Sequence, residues 1–337
     1  MRLALRLLCL FVLAAAVAGC SARKPAASPE ARPLSVAMLI PGNIADGGFM
    51  ESGHKGLMKI QSELGAKVDF IDGVKPDKDK LEQALRILAQ RKPDLVIAHG
   101  GQCNEAAKAV AAQYPDVRFV VVQGKVTGPN LSSYEVLQEQ SAWLAGAAAG
   151  MLTKTGVVGH ISGIRVVPGL KGRAAYAAGL KYVNPKARLL TTFCGNQDDN
   201  ELSKKVALAQ IKGKADIIFT MLNSGRQGAI DACREKNVRQ IGNVKDWTAQ
   251  DPQVFAASAV ADVSWAVFGA GKDLADGAWK PAVEKKIGLS DPEAVRLALA
   301  PDVPATVRER LAGLAERIRT GEIEVSVQYD GPEFEVK

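Results

Sequence analysis

The sequence predicts an α/β protein built as two doubly wound, Rossmann-like lobes joined by a hinge. Three observations carry this: strand-like apolar runs alternate with amphipathic helical runs, the alternation restarts near the middle, and the strands are apolar almost without interruption. Such strands belong to parallel sheets covered on both faces. The first unit sets the pattern. Leu34 to Ile40 reads as a strand, Pro41 to Phe49 as a Gly-rich loop, and the stretch to Ile60 as a helix with Gly56, Leu57 and Ile60 set against Glu51, His54, Lys55 and Lys59. In open α/β sheets, ligands sit outside the carboxyl ends of the strands. The loop Asp46-Gly47-Gly48-Phe49 falls there, with two glycines for close backbone approach, an acid and a flat apolar ring. An ordinary turn with a core phenylalanine is the competing reading.

Ahead of this unit, Arg2 and Arg6 precede an apolar run from Leu7 to Ala18, ending in Val17-Ala18-Gly19-Cys20. This is the layout of a secretion signal, too short for a membrane span. The small residues before Cys20 fit a bacterial lipobox, which makes 1–19 a lipoprotein signal peptide and Cys20 the lipidated mature N-terminus. Multiple acyl chains anchor firmly where one is marginal. Residues 20–33, rich in Ser, Ala, Pro and Lys, read as a tether. The expected location is the bacterial cell membrane, facing the periplasm or the cell exterior.

After the first strand come Val68–Ile71, Leu95–Ala98 and Phe119–Val122, separated by helices at Leu81–Gln90 and Asn104–Tyr114. A small-residue-rich helix follows at Gln140–Met151. The pattern restarts with strands at Val157–Ile161, Leu189–Phe193, Ile217–Met221 and Gln240–Gly242, with helices near Ala174–Val183, Leu202–Gln210 and Arg226–Glu235. Near the end, Val263–Leu274 and Thr306–Arg319 read as helices, Asp291–Leu299 as a further helix and Glu322–Tyr329 as a strand. The expected division is an N-terminal lobe of 34–139 with about 258–285, and a C-terminal lobe of 140–257 with about 286–337. Several crossovers between them give the geometry of hinge closure around a ligand.

Removing residues 1–19 takes away two arginines and no acid, lowering the formal charge from +7 to +5. No basic cluster interleaved with aromatics points to nucleic acid. Cys103, Cys194 and Cys233 remain, an odd number that leaves any disulfide open. Their spacing fits no zinc pattern, and three histidines make a metal site a poor expectation. There is no Gly-x-Gly-x-x-Gly after a strand, no P-loop lysine and no Gly-x-Ser-x-Gly elbow, so an enzyme is not expected, nor a cofactor. A small-molecule ligand between the lobes is expected, for a monomeric protein.

Several motifs resemble the basic membrane protein family of ABC-transporter solute-binding lipoproteins, which includes purine-nucleoside-binding members. Tyr114-Pro115-Asp116-Val117-Arg118-Phe119 is similar to the family's Tyr-Pro-Asp-Val-x-Phe. Glu139-Gln140-Ser141-Ala142-Trp143-Leu144-Ala145-Gly146 is similar to its Glu-Gln-x-x-x-Leu-x-Gly, and Val157-Val158-Gly159 and Gly179–Pro185 resemble its second half. The resemblance covers most of the mature chain and implies a type I periplasmic-binding-protein fold, capture of a purine nucleoside, nucleobase or similar heterocycle between the lobes, and delivery to an ABC permease. It places a stacking aromatic at Phe49, beside Asp46. The chain departs from the family where many members carry Asp: Gln123 follows Val122 at the fourth strand's end, and Val244 replaces the first acid of the motif that keeps Asp246. Loss of a ribose acceptor shifts the expectation toward a free base or another flat heterocycle.

The candidate ligand-binding residues are therefore Asp46, Gly47, Phe49, Gln102, Asn104, Gln123, Asn223, Asp246 and Trp247. Asn104 also reads as a helix cap, Asp198 and Asp199 read first as caps, and Trp247 is as well suited to packing. The alternatives are a sugar-binding protein of the same fold and a surface lipoprotein that binds host or cell-wall partners.

Overall fold

The computed structural model describes residues 32–336; the signal sequence, Cys20 and nearly all of the tether lie outside them. The first half runs β1 (Ser35–Ile40), α1 (Phe49–Leu64), β2 (Lys67–Asp72), α2 (Lys78–Gln90), β3 (Leu95–His99), α3 (Asn104–Ala111), β4 (Arg118–Val122), β5 (Leu131–Val136) and α4 (Gln138–Leu152). The second runs β6 (Val157–Ser162), α5 (Val167–Val183), β7 (Arg188–Phe193), α6 (Asn200–Lys212), β8 (Ile217–Met221), α7 (Arg226–Glu235), β9 (Arg239–Val244) and β10 (Phe255–Ala261). The chain then adds α8 (Ser264–Ala275), β11 (Glu284–Ile287), β12 (Val295–Leu299) and α9 (Ala305–Arg319).

Two six-stranded sheets result, ordered β11-β5-β4-β3-β1-β2 and β12-β10-β9-β8-β6-β7. Leaving out β11 and β12, the two orders are the same 2-1-3-4-5 pattern used twice. Its switch points lie between β1 and β3 in the first sheet and between β6 and β8 in the second. All pairings are parallel except β10 with β12. The α/β expectation of two doubly wound sheets therefore holds. The chain crosses from sheet to sheet between β5 and α4, between β10 and α8, and between β11 and β12.

The cores follow from the strand composition. Met38, Ile40, Ile97 and Val120 face α1 and α8, while Leu39, Val96, Ala98 and Val121 face α2 and α3. Each large side chain buried this way contributes roughly 1.5–3 kcal/mol. In the second sheet, Val158, Phe219 and Ile241 face α4, α5 and α9, and Ile161, Ile218 and Phe255 face α6 and α7. Helices α4 and α5 pack almost backbone to backbone. A Cβ on Gly146 would lie 2.0 Å from the Tyr176 carbonyl oxygen, and one on Gly179 would lie 1.9 Å from that of Trp143. Only glycine fits either place.

Two expectations near the C-terminus are corrected. Asp291–Leu299 is not a helix: its second half is β12, held antiparallel to β10 from Val295 against Ala261 to Leu299 against Ala257. Glu322–Tyr329 forms no strand. Ile323 and Val325 still pack on the α4–α5 side, but no strand pairs with their backbone. The chain runs on to β7, where Phe334 N–H donates to the Thr191 carbonyl at 2.8 Å. Strands β5, β10 and β11 have no counterpart in the sequence reading.

Candidate functional site

The loop after β1 is organised by one carboxylate. Asp46 is 6 % exposed, and its oxygens accept from the N–H groups of Gly48 (2.8 Å), Met50 (3.1 Å) and Glu51 (3.1 Å). These are the otherwise unpaired amides at the start of α1, so the acid acts as the cap that Gly48 lacks. Gly47 has φ +65°, in the region that favours glycine.

Phe49 begins α1, and its ring stacks on His99 from the end of β3, with centroids 4.1 Å apart and planes 23° apart. His99 Nε2 donates to the Phe49 carbonyl at 2.9 Å. The stack therefore sits at the first sheet's switch point, its lower partner fully buried and the phenylalanine half-buried. Burial pulls the His99 pKa down to about 4, keeping the ring neutral. Gly53 makes room for it, since a Cβ there would meet the imidazole at 2.5 Å.

Gln102, Asn104 and Gln123 lie along the same edge and serve it locally. The exposed Gln102 folds back over Gly100, which has φ +102° and space for no side chain. Asn104 is the first residue of α3 rather than its cap, and its Oδ1 accepts from Lys125 N–H at 3.3 Å. Gln123, at φ +59°, accepts from Val136 N–H at 2.5 Å and donates to the Val136 carbonyl at 3.1 Å, closing the end of β4 onto β5.

Across from this edge stand the loops after β8 and β9. Asn223 is half-buried beside Gly48, where an added Cβ would come 2.9 Å from Asn223 Oδ1. Ser224 Oγ donates to the Asp46 carbonyl and Arg226 Nη1 to the Gly47 carbonyl, each at a long 3.4 Å. Asp246 Oδ1 accepts from Thr248 N–H (2.9 Å) and Thr248 Oγ1–H (2.6 Å). Trp247 donates from Nε1 to the Asn243 carbonyl at 3.0 Å and stacks on Phe255 at 5.6 Å. Its indole also carries the Arg226 guanidinium at 4.2 Å and the Lys245 ammonium at 4.4 Å. Asp198 accepts from Ser224 N–H at 3.1 Å, while Asp199 caps α6 through Leu202 N–H at 3.0 Å.

The structure thus brings the backbone of Asp46, Gly47 and Gly48 against the loop of Asn223, Ser224 and Arg226, with Trp247 reached through Arg226 and Phe49 next along the first loop. Gln102, Asn104 and Gln123 cluster separately around Gly101. Arg226 lies in a loop that the sequence places at the cleft but is not among the candidate ligand-binding residues. The available signal was its position, since a cation in the first turn of a helix opposes the helix dipole. Also unanticipated is Lys171, which pairs with Glu135 and with Glu139 (3.1 Å) and ties α5 to the crossover between β5 and α4. The flanking acids outweigh burial and raise its pKa.

Cys103, Cys194 and Cys233 are free thiols, two of them buried. Among the described residues no cluster of three His, Cys, Asp or Glu is placed to hold a metal ion, and no helix is long and apolar enough to cross a membrane.

Comparison with known proteins adds a family to this geometry. The profile described as ABC transporter substrate-binding protein PnrA-like matches residues 34–318. A purine-binding protein of Brucella abortus is 24% identical over 295 residues, covering 86% of this chain and 82% of its own. Basic membrane protein A of Borreliella burgdorferi is 28% identical over 204 residues, 59% of either chain. A solute-binding protein of an ABC transporter system from Aeropyrum pernix superposes with a TM-score of 0.76 at 20% identity, covering 88% of this chain and 94% of that one.

Proposed function

The chain belongs to the PnrA-like family of ABC transporter substrate-binding proteins, and from that premise we propose that it captures a purine base, a purine nucleoside or a similar flat heterocycle between its two sheets. One observation carries this reading. Phe49 lies stacked on a buried, neutral histidine at a sheet switch point, opposite the loops that hold Asn223 and Arg226. A ring fixed on one face is a stacking platform for a flat guest on the other, and base–aromatic stacking contributes about 1–3 kcal/mol per base. The likeness to a purine-binding protein supports the same class.

The two sheets with their helices act as lobes, dividing near residues 139, 257 and 285, and close on the ligand about the three crossovers. The loaded protein then delivers its ligand to an ABC permease. Cys20 carries the lipid that holds the protein at the membrane, with residues 20–33 as its tether.

Mass spectrometry of small molecules released on denaturing the purified protein tests the ligand class. A copurified purine, or tight binding of adenine, hypoxanthine or inosine in calorimetry, is expected. A protein that releases no heterocycle and binds none of the three overturns the reading. For the anchor, Cys20→Ser should leave the membrane fraction; a variant that stays there after a high-salt wash is not held by lipid.

A further inference from the structure

Arg226 is a cation placed where a structural arginine has little reason to be. Its side chain is 3 % exposed, and it opens α7, the end of a helix that already points positive. Among the described residues it forms no ion pair at 4.0 Å or less. The two acids nearest in charge are committed elsewhere, Asp46 to its own loop and Glu51 to Lys55. Its hydrogen bonding is also incomplete. Nη2 donates to the Leu222 carbonyl, Nη1 reaches Gly47 only at 3.4 Å, and Nε is buried without a partner. A buried donor left unpaired carries a desolvation penalty, which marks it as strain or as a waiting contact.

The surroundings choose between these. Arg226 sits just past β8, at the second sheet's switch point, across from the Phe49 loop. Its guanidinium lies over the Trp247 indole, 4.2 Å from the ring centroid, a cation–π contact that helps hold the fork in place. Lys245, also without an ion pair among the described residues, adds a second positive charge over the same indole. The two cations over one indole supply donors to this edge, so it fits a guest that presents acceptors.

Resting on the purine reading above, we infer that Arg226 is the specificity-determining residue and selects 6-oxopurines over 6-aminopurines. An arginine fork matches the adjacent O6 and N7 acceptors of an oxopurine, whereas adenine sets an N6 amino donor beside N7. The ligand's acceptors would replace the loose contact to the Gly47 carbonyl when the loops close.

Calorimetry on the full-length protein decides it, with hypoxanthine, adenine, inosine and adenosine as probes against wild type, Arg226→Met and Arg226→Lys. Wild type should bind the oxo member of each pair about tenfold tighter or more, the scale of a bidentate arginine–purine contact. Arg226→Met keeps apolar cover on the indole and should bring that ratio to about one, chiefly by loss of oxopurine affinity. Arg226→Lys keeps the charge without the fork and should lose most of the preference. Equal wild-type affinities within each pair overturn the inference and leave the purine reading standing. A methionine variant that weakens both members equally overturns it too, and assigns Arg226 to loop closure. If neither variant folds, the wild-type ratio alone decides. Binding of no probe at all sinks the purine reading and this inference together.

Discussion

The loop after β1 and the loop after β9 carry the same two residue types, an acid and an aromatic, and use them differently. In both, the acid serves its own backbone: Asp46 caps α1, and Asp246 holds the turn at Thr248. The aromatics part company. Phe49 has one neighbour ring, His99, and no other aromatic within stacking range among the described residues. Trp247 is fixed by a hydrogen bond at Nε1, by Phe255 and by two cations, and it lies against Gly242, where a Cβ would meet the indole at 2.5 Å. An aromatic at a strand's carboxyl end is thus an ambiguous sign. What distinguishes a platform from a packing residue is how many of its faces the fold already covers.

The largest effect should come from Trp247→Ala. Removing an indole with this many fixed contacts should lower stability by about 3 kcal/mol or more, read as the denaturant midpoint at unchanged slope. A variant of near-normal midpoint whose ligand affinity collapses would place Trp247 with Phe49 as a stacking surface and erase the contrast.

Acid should follow. His99 under Phe49 and His160 in the second sheet's core are fully buried and neutral, with pKa values pulled down by burial to about 4 and about 3. Both lie below the unfolded value near 6.5, so the unfolded chain binds protons first. Their contribution is complete above about pH 6.5 and is lost as pH falls toward the folded values, with a slope of at most about 1.4 kcal/mol per pH unit for each. His99→Gln keeps a donor for the Phe49 carbonyl and should remove about half of that slope between pH 6 and 4.5. An unchanged slope would mean that His99 does not titrate on unfolding as its burial requires.

Much of this architecture was legible in the residues, and the exceptions have physical reasons. The central strands are continuous apolar runs, and only a doubly covered parallel sheet accommodates them. Strand β5 was hidden because Ser132 and Ser133 are polar by type yet fully buried, their hydroxyls donating to the Lys280 and Val126 carbonyls. Strand β10, Phe-Ala-Ala-Ser-Ala-Val-Ala, is made of residues too small to show a strand preference. Strand β12 reads as a helix by local propensity, but pairing with β10 overrides it. Within the site, a carboxylate's type does not reveal whether backbone amides already occupy it. Nor does Arg226 announce that it forms no direct ion pair among the described residues, because that depends on three loops distant in sequence.

Phe49→Ala should act mainly on binding, weakening it by about 1–3 kcal/mol, with a smaller loss of stability than the tryptophan variant because the smaller ring has one stacking partner and no side-chain hydrogen bond or cation contact among the described residues. Phe49→Trp should retain affinity, since a larger ring can use the same histidine beneath it. If the alanine variant binds normally but unfolds as early as Trp247→Ala, both aromatics are packing residues, and the purine would have to be held without a first-loop platform.

The smallest effect is expected from Asp246→Asn. Asp246 Oδ1 accepts two short bonds from Thr248, and an asparagine carbonyl oxygen can accept both from the same place. The charge that is lost is not part of an ion pair among the described residues. Stability should therefore change by only about 0.5 kcal/mol or less, as for a surface substitution away from strained or buried features. Ligand affinity should be unchanged as well, because the oxygen that faces Thr248 is already committed. The same substitution at Asp46 is the control. Its carboxylate accepts through both oxygens, so an amide must present a donor where an acceptor is needed and should open the loop under Phe49. Measured together, a silent Asp246→Asn and a damaging Asp46→Asn would show that one acid holds a turn while the other holds the platform. A loss of ligand affinity in Asp246→Asn at normal stability would instead put its second oxygen on the ligand, and the loop after β9 would then bind through its acid rather than its ring.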